Sequence, residues 1–100
     1  MFVAANRFRI NEGYGEAFVD LFEDSMTTVD EQPGFVRFDL LAPADDGDTY
    51  IAQTYWESRE AFEAWTNSDA FESAHDRDPP SEMFDGHPSL ELYEAAFSRE

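Results

Sequence analysis

Asn6 sits on one side of an alternating segment, residues 2–10, whose other members on that side are Phe2, Ala4, Phe8 and Ile10. A carboxamide on an apolar strand face needs hydrogen-bond partners. Neighbouring backbone can supply them, or the amide can act as a donor aimed into a pocket. His75 lies one helical turn beyond Phe71 and just before the chain reaches Pro79-Pro80. A neutral imidazole at a helix end can ligate a metal through one nitrogen while backbone or a carboxylate holds the other. The same place equally suits a partly exposed His that complements the helix dipole. Trp65 precedes His75 by ten positions, nearly three turns of an uninterrupted helix, so the two share an inward direction. A Trp on a helical core stripe also packs in its own right. His87, between Gly86 and Pro88, reads as a plain loop residue.

No other catalytic constellation stands out. Ser58, Ser68 and Ser73 have no nucleophile context, two scattered His do not make a zinc site, and no glycine-rich phosphate loop is present. The absence of cysteine excludes disulfides, thiolate metal sites and cysteine nucleophiles.

The elements that must position these residues follow from periodicity. Residues 2–10 form a half-buried strand. Beyond Gly13 and Gly15, the residues Phe18, Leu21, Phe22, Met26 and Val29 recur at helical spacing with acids between them, predicting a helix that Gln32-Pro33-Gly34 ends. Residues 35–41 read as a second strand, 42–48 as a hairpin loop rich in Asp, and 50–56 as a third strand. Ser58 caps a second helix with Ala61, Phe62 and Trp65 on its inward stripe; Ser68 restarts or bends it, Phe71, Ala74 and His75 continue it, and Pro79-Pro80 forbids more. Residues 76–88 are a loop and 90–97 a last strand.

The resulting order, β-α-β-β-α-β, predicts one α+β domain over residues 1–100: a ferredoxin-like antiparallel sheet with both helices on one face. The third strand carries Tyr50 and Trp56 on one side and Ile51 and Tyr55 on the other. Two helices cover a single face, so the other predicts a homodimer formed through the sheet.

Composition bounds the setting. The 100 residues carry 23 carboxylates against six arginines and no lysine, a net charge of −17. With 42% hydrophobic and 16% aromatic content the chain folds despite that charge. A surface so acidic repels itself at low ionic strength, and molar salt shortens the screening length to ~3 Å, so the composition reads as halophilic. The same charge argues against nucleic acid and anionic membranes as partners. Residues 1–10 lack the pattern of a signal peptide and no stretch reaches the ~20 apolar residues of a membrane span, which predicts a cytoplasmic protein.

Five segments, Ala5-Asn6-Arg7-Phe8, Gln32-Pro33-Gly34-Phe35, Thr54-Tyr55-Trp56-Glu57-Ser58, Ala61-Phe62-Glu63-Ala64-Trp65, and Ser68-Asp69-Ala70-Phe71 through Ala74-His75, resemble the antibiotic biosynthesis monooxygenase superfamily. Within it they are most similar to the IsdG-type haem-degrading monooxygenases, with an Asn, a Trp and a His at family spacing. The resemblance implies a dimeric α+β barrel in which each subunit binds haem, at once cofactor and substrate, between helices and sheet. Carried over, His75 is the axial ligand to the haem iron, Asn6 hydrogen-bonds the distal ligand or dioxygen, and Trp65 presses the macrocycle out of plane. Phe8, Phe22, Phe62 and Phe71 are candidates for the apolar lining. The implied reaction opens haem with dioxygen and electrons from an external donor, an unidentified reductase, and releases iron. The loop departs from what the anionic propionates favour: it reads Asp76-Arg77-Asp78 and continues with Glu82 and Asp85, leaving Arg77 as the nearby base. Two other functions share the fold: a cofactor-free monooxygenase acting on a phenolic or quinol-like aromatic, and a non-enzymatic haem-binding dimer.

Overall fold

In the computed structural model, which describes residues 1–25, 29–69, 71 and 80–99, the strands β1 (Phe2–Arg9), β2 (Phe35–Leu41), β3 (Thr49–Trp56) and β4 (Ser89–Glu94) form one antiparallel sheet in the order β2-β3-β1-β4. The helices α1 (Gly15–Ser25) and α2 (Arg59–Thr66) follow β1 and β3. This is the expected ferredoxin-like order.

Register explains how the sheet divides its two faces, because residues directly opposite in antiparallel strands point the same way. On the helix side, three cross-strand rows run from β4 to β2: Leu90-Asn6-Ala52-Leu40, Leu92-Ala4-Thr54-Phe38 and Glu94-Phe2-Trp56-Phe35. Aromatic residues crowd the third row, whereas small side chains occupy the centre of the other two. Phe2, Ala4, Val29, Trp56 and Trp65 make one buried cluster, with Phe35, Ala61, Phe62 and Phe71 against it. Ile10, Phe18 and Met83 make a second, flanked by Phe8, Tyr14, Phe22 and Tyr50. The core is thus two aromatic clusters on one sheet face.

The opposite face carries Val3, Ile51, Leu41, Tyr55 and Tyr93 together with a polar set. Arg7 pairs with Glu91, Arg37 with Asp39 at 2.8 Å, and the Gln53 amide donates to the Tyr55 hydroxyl. Arg37 also lies over the Tyr55 ring. The hydrogen bond from Arg7 holds the Glu91 carboxyl below its ordinary range, and Glu91 in turn raises the Arg7 guanidinium. Leu41 and Tyr93 are nearly half exposed. This face therefore mixes apolar side chains with ion pairs.

Local chemistry sets the joints. The Ser58 hydroxyl accepts a hydrogen bond from the Ala61 N–H and caps α2. Asn67 closes that helix, its backbone N–H and side-chain amide both donating to the Glu63 carbonyl. Ser68 then accepts from the Phe71 N–H and donates to the Trp65 carbonyl; the predicted continuation of the helix through Ala74 and His75 lies outside the described residues. Gly34 adopts φ +81°, and a Cβ on it would lie 2.5 Å from that of Ala61. Glycine is required there for both reasons.

Three boundaries differ from the sequence reading. Helix α1 ends at Ser25, and Val29 opens a 3₁₀ turn, Val29–Glu31, instead of closing the helix. Val29 is β-branched and loses rotamer freedom in a helix. Met26, like Thr27 and Thr28, lies outside the described residues. Strand β4 stops at Glu94 rather than running to Phe97, since its partner β1 is exhausted: Ala95 N–H already bonds the Met1 carbonyl, and Phe97 is exposed. The segment before β4 contains a 3₁₀ turn, Ser81–Met83, anchored by Asn11, whose amide donates to the Glu82 and Phe84 carbonyls. Among the described residues, no helix is long and apolar enough to cross a membrane.

Candidate functional site

The two aromatic clusters do not meet over the middle of the sheet. Ala4, Ala52 and Thr54 are too short to fill the gap, and a cavity of about 140 Å³ remains above them. Its floor is those three residues with Asn6. Phe62, Trp65, Thr66 and Phe71 wall it on the α2 side, Phe8, Phe22 and Phe38 on the α1 side, and Leu90 at the β4 edge. Trp65 stands edge-on to Phe71 at 5.4 Å and stacks on Trp56 at 6.3 Å, which fixes its ring from behind. Phe22 meets Phe8 at 5.6 Å and lies parallel to Phe38.

The described lining residues are uncharged. Asn6 brings the strongest polar group to the floor, and its side-chain amide has no hydrogen-bond partner among the described residues. An unpaired amide on an apolar surface costs about 1–3 kcal/mol if it stays dry. Asn6 is half-buried, so its donor and acceptor remain available to a ligand. The cavity is open towards β4, where Leu90 and Leu92 are 56% and 39% exposed although both belong to the helix side.

Of the residues singled out from sequence, Asn6, Phe8, Phe22, Phe62, Trp65 and Phe71 all line this one cavity. His75 and Arg77 lie outside the described residues. Phe38, Thr54, Thr66 and Leu90 were not anticipated as lining; strand alternation assigns a side chain to a face without indicating which part of that face stays open. Among the described residues, no cluster of three or more His, Asp or Glu could hold a metal ion.

A four-stranded β-α-β-β-α-β sheet with an apolar, amide-bearing cavity beneath its helices defines a ferredoxin-like α+β scaffold. The chain belongs to the antibiotic biosynthesis monooxygenase family, whose model matches residues 1–77. Among particular relatives, a Mycobacterium tuberculosis protein named haem oxygenase (mycobilin-producing) is 37% identical over 62 residues, covering 62% of this chain and 59% of that protein. The match thus spans less than two thirds of the curated relative. The structure of the M. tuberculosis haem degrader MhuD with two haems in its active site superimposes with TM-score 0.81 at 31% identity, covering all of both chains. SnoaB of Streptomyces nogalater, a cofactor-independent oxygenase, shares the fold at TM-score 0.76 and 23% identity, covering 97% of this chain and 94% of that one.

Proposed function

We propose that this chain is a haem-degrading monooxygenase that binds haem in the cavity between its two aromatic clusters and opens the porphyrin ring with dioxygen and electrons from an external reductase, releasing iron. One observation carries the reading: an amide, Asn6, that has no partner among the described residues, on the floor of a largely apolar cavity walled by Trp65. The similarity to a named haem oxygenase and to MhuD supports it.

The residues present suit such a plate-shaped aromatic ligand. The enclosed volume is smaller than the ~300–1,000 Å³ of drug-sized sites, and Leu90 and Leu92 extend the apolar surface beyond it. Phe8, Phe22, Phe62 and Phe71 exclude water from the ligand. Asn6 offers a preorganised donor, of the kind that stabilises developing charge most when fixed beforehand. Trp65, held from behind by Trp56, presses on the ligand's face. His75 would ligate the haem iron and Arg77 would pair with the propionates. Haem supplies the iron and the dioxygen chemistry; the protein supplies orientation, distal donor and distortion.

The open face of the sheet is proposed as the homodimer interface, with residues 1–100 acting as one domain in the cytoplasm. Haemin titration in high salt, followed by ascorbate under air, tests the function. A saturable histidine-ligated Soret band that decays with iron release is expected. The absence of a saturable band overturns the reading in favour of a cofactor-free oxygenase, and a band that persists under reductant favours a haem-binding protein.

A further inference from the structure

A second cavity, about 450 Å³, lies on the far side of Phe8, lined by Phe8, Ser81, Phe84, Gly86, His87 and Pro88. Phe8 is a wall common to both cavities and touches Phe22 on one side and Phe84, at 6.2 Å, on the other. Pro88 and Leu90 continue the same edge. Among the described residues, His87 is the only ionisable side chain lining either cavity.

This matters because the chain is a poor host for an anion. Its net charge is −17, and four arginines are already committed: Arg7 to Glu91, Arg9 to Asp48 and Asp85, Arg37 to Asp39, and Arg59 to Glu63. Arg7 and Arg37 also sit on the opposite face of the sheet from the cavities. The carboxylates nearest His87 in the chain are Asp85 and Glu91; Asp85 is held by Arg9 at 3.1 Å and Glu91 by Arg7. An anionic group leaving the first cavity past Phe8 therefore meets an imidazole N–H and the Ser81 hydroxyl.

We propose that His87 receives a carboxylate of the bound ligand, so that the second cavity selects planar aromatic ligands bearing an acidic arm. This rests on the proposed function, in that it takes the aromatic body of the ligand to occupy the first cavity. A hydrogen bond to a charged partner contributes about 1.5–3 kcal/mol, or roughly tenfold or more in affinity.

Metal-free protoporphyrin IX and its dimethyl ester separate this contact from any iron ligation. In high salt, the wild-type protein is expected to bind the diacid about tenfold more tightly than the diester. His87→Ala should lose most of that preference while its affinity for the diester stays unchanged, and His87→Arg should restore it. The diacid, and not the diester, should shift the His87 ring signals in NMR, assigned by their loss in His87→Ala. Unchanged discrimination in His87→Ala, or equal binding of both probes by the wild type, overturns the His87 assignment and leaves the haem cavity standing. Failure of the wild type to bind either probe overturns the cavity reading, and the His87 proposal with it.

Discussion

At the scale of single residues, two aromatic clusters leave an opening and one amide occupies its floor. Removing that amide should separate binding from turnover. Asn6→Ala is expected to keep the haem Soret band but to degrade haem about 10²–10³-fold more slowly, the loss typical of one preorganised donor; Soret decay and iron release under ascorbate measure it. His75→Ala should lose the histidine-ligated spectrum while circular dichroism stays native. If Asn6→Ala turns over at the wild-type rate, the amide is structural only. The sequence makes Asn6 conspicuous because alternation assigns it to an apolar face. It does not reveal that Ala52 and Thr54 beside it leave a gap, since a small residue on a buried face looks the same whether its neighbours close over it or stand apart.

At the scale of elements, the position of Trp65 depends on how α2 seats against the entry to β2. Gly34 is the contact point, with φ +81° and Ala61 directly against it. Gly34→Ala combines a left-handed strain of about 1–2 kcal/mol with that clash, so it should lower stability by more than the roughly 1 kcal/mol expected for losing the Ser58 cap in Ser58→Ala. Thermal melts of the two variants decide this; a smaller loss for Gly34→Ala would show that α2 shifts away freely. Element order and most strand positions are legible because each strand alternates and each helix has one apolar stripe. The ends are not. Strand β4 is apolar to Phe97 in sequence but finishes where β1 offers no further partner, and α1 yields to a 3₁₀ turn at Val29. Pairing length and tertiary packing decide such limits, and neither is local.

At the scale of the whole molecule, charge and the uncovered sheet face set the expectations. Lowering ionic strength from molar to ~0.1 M lengthens the screening length to ~10 Å, so the surplus carboxylates repel across the surface; the melting temperature should fall, and a flat melting temperature across that range rules out a halophilic protein. Sedimentation in high salt should give a dimer at micromolar concentration, and Tyr93→Asp, on the face opposite the helices, should shift it to monomer. Its sheet face offers Leu41 and Tyr93 beside Arg7–Glu91 and Arg37–Asp39, so a partner must accommodate charges as well as apolar side chains. The two tryptophans of the chain stack on one another at 6.3 Å, and one of them walls the cavity. All indole emission thus originates at a single corner of the molecule. Intrinsic fluorescence therefore works as a label-free gauge of that corner, quenched by a bound chromophore through energy transfer and insensitive to events on the far side of the sheet.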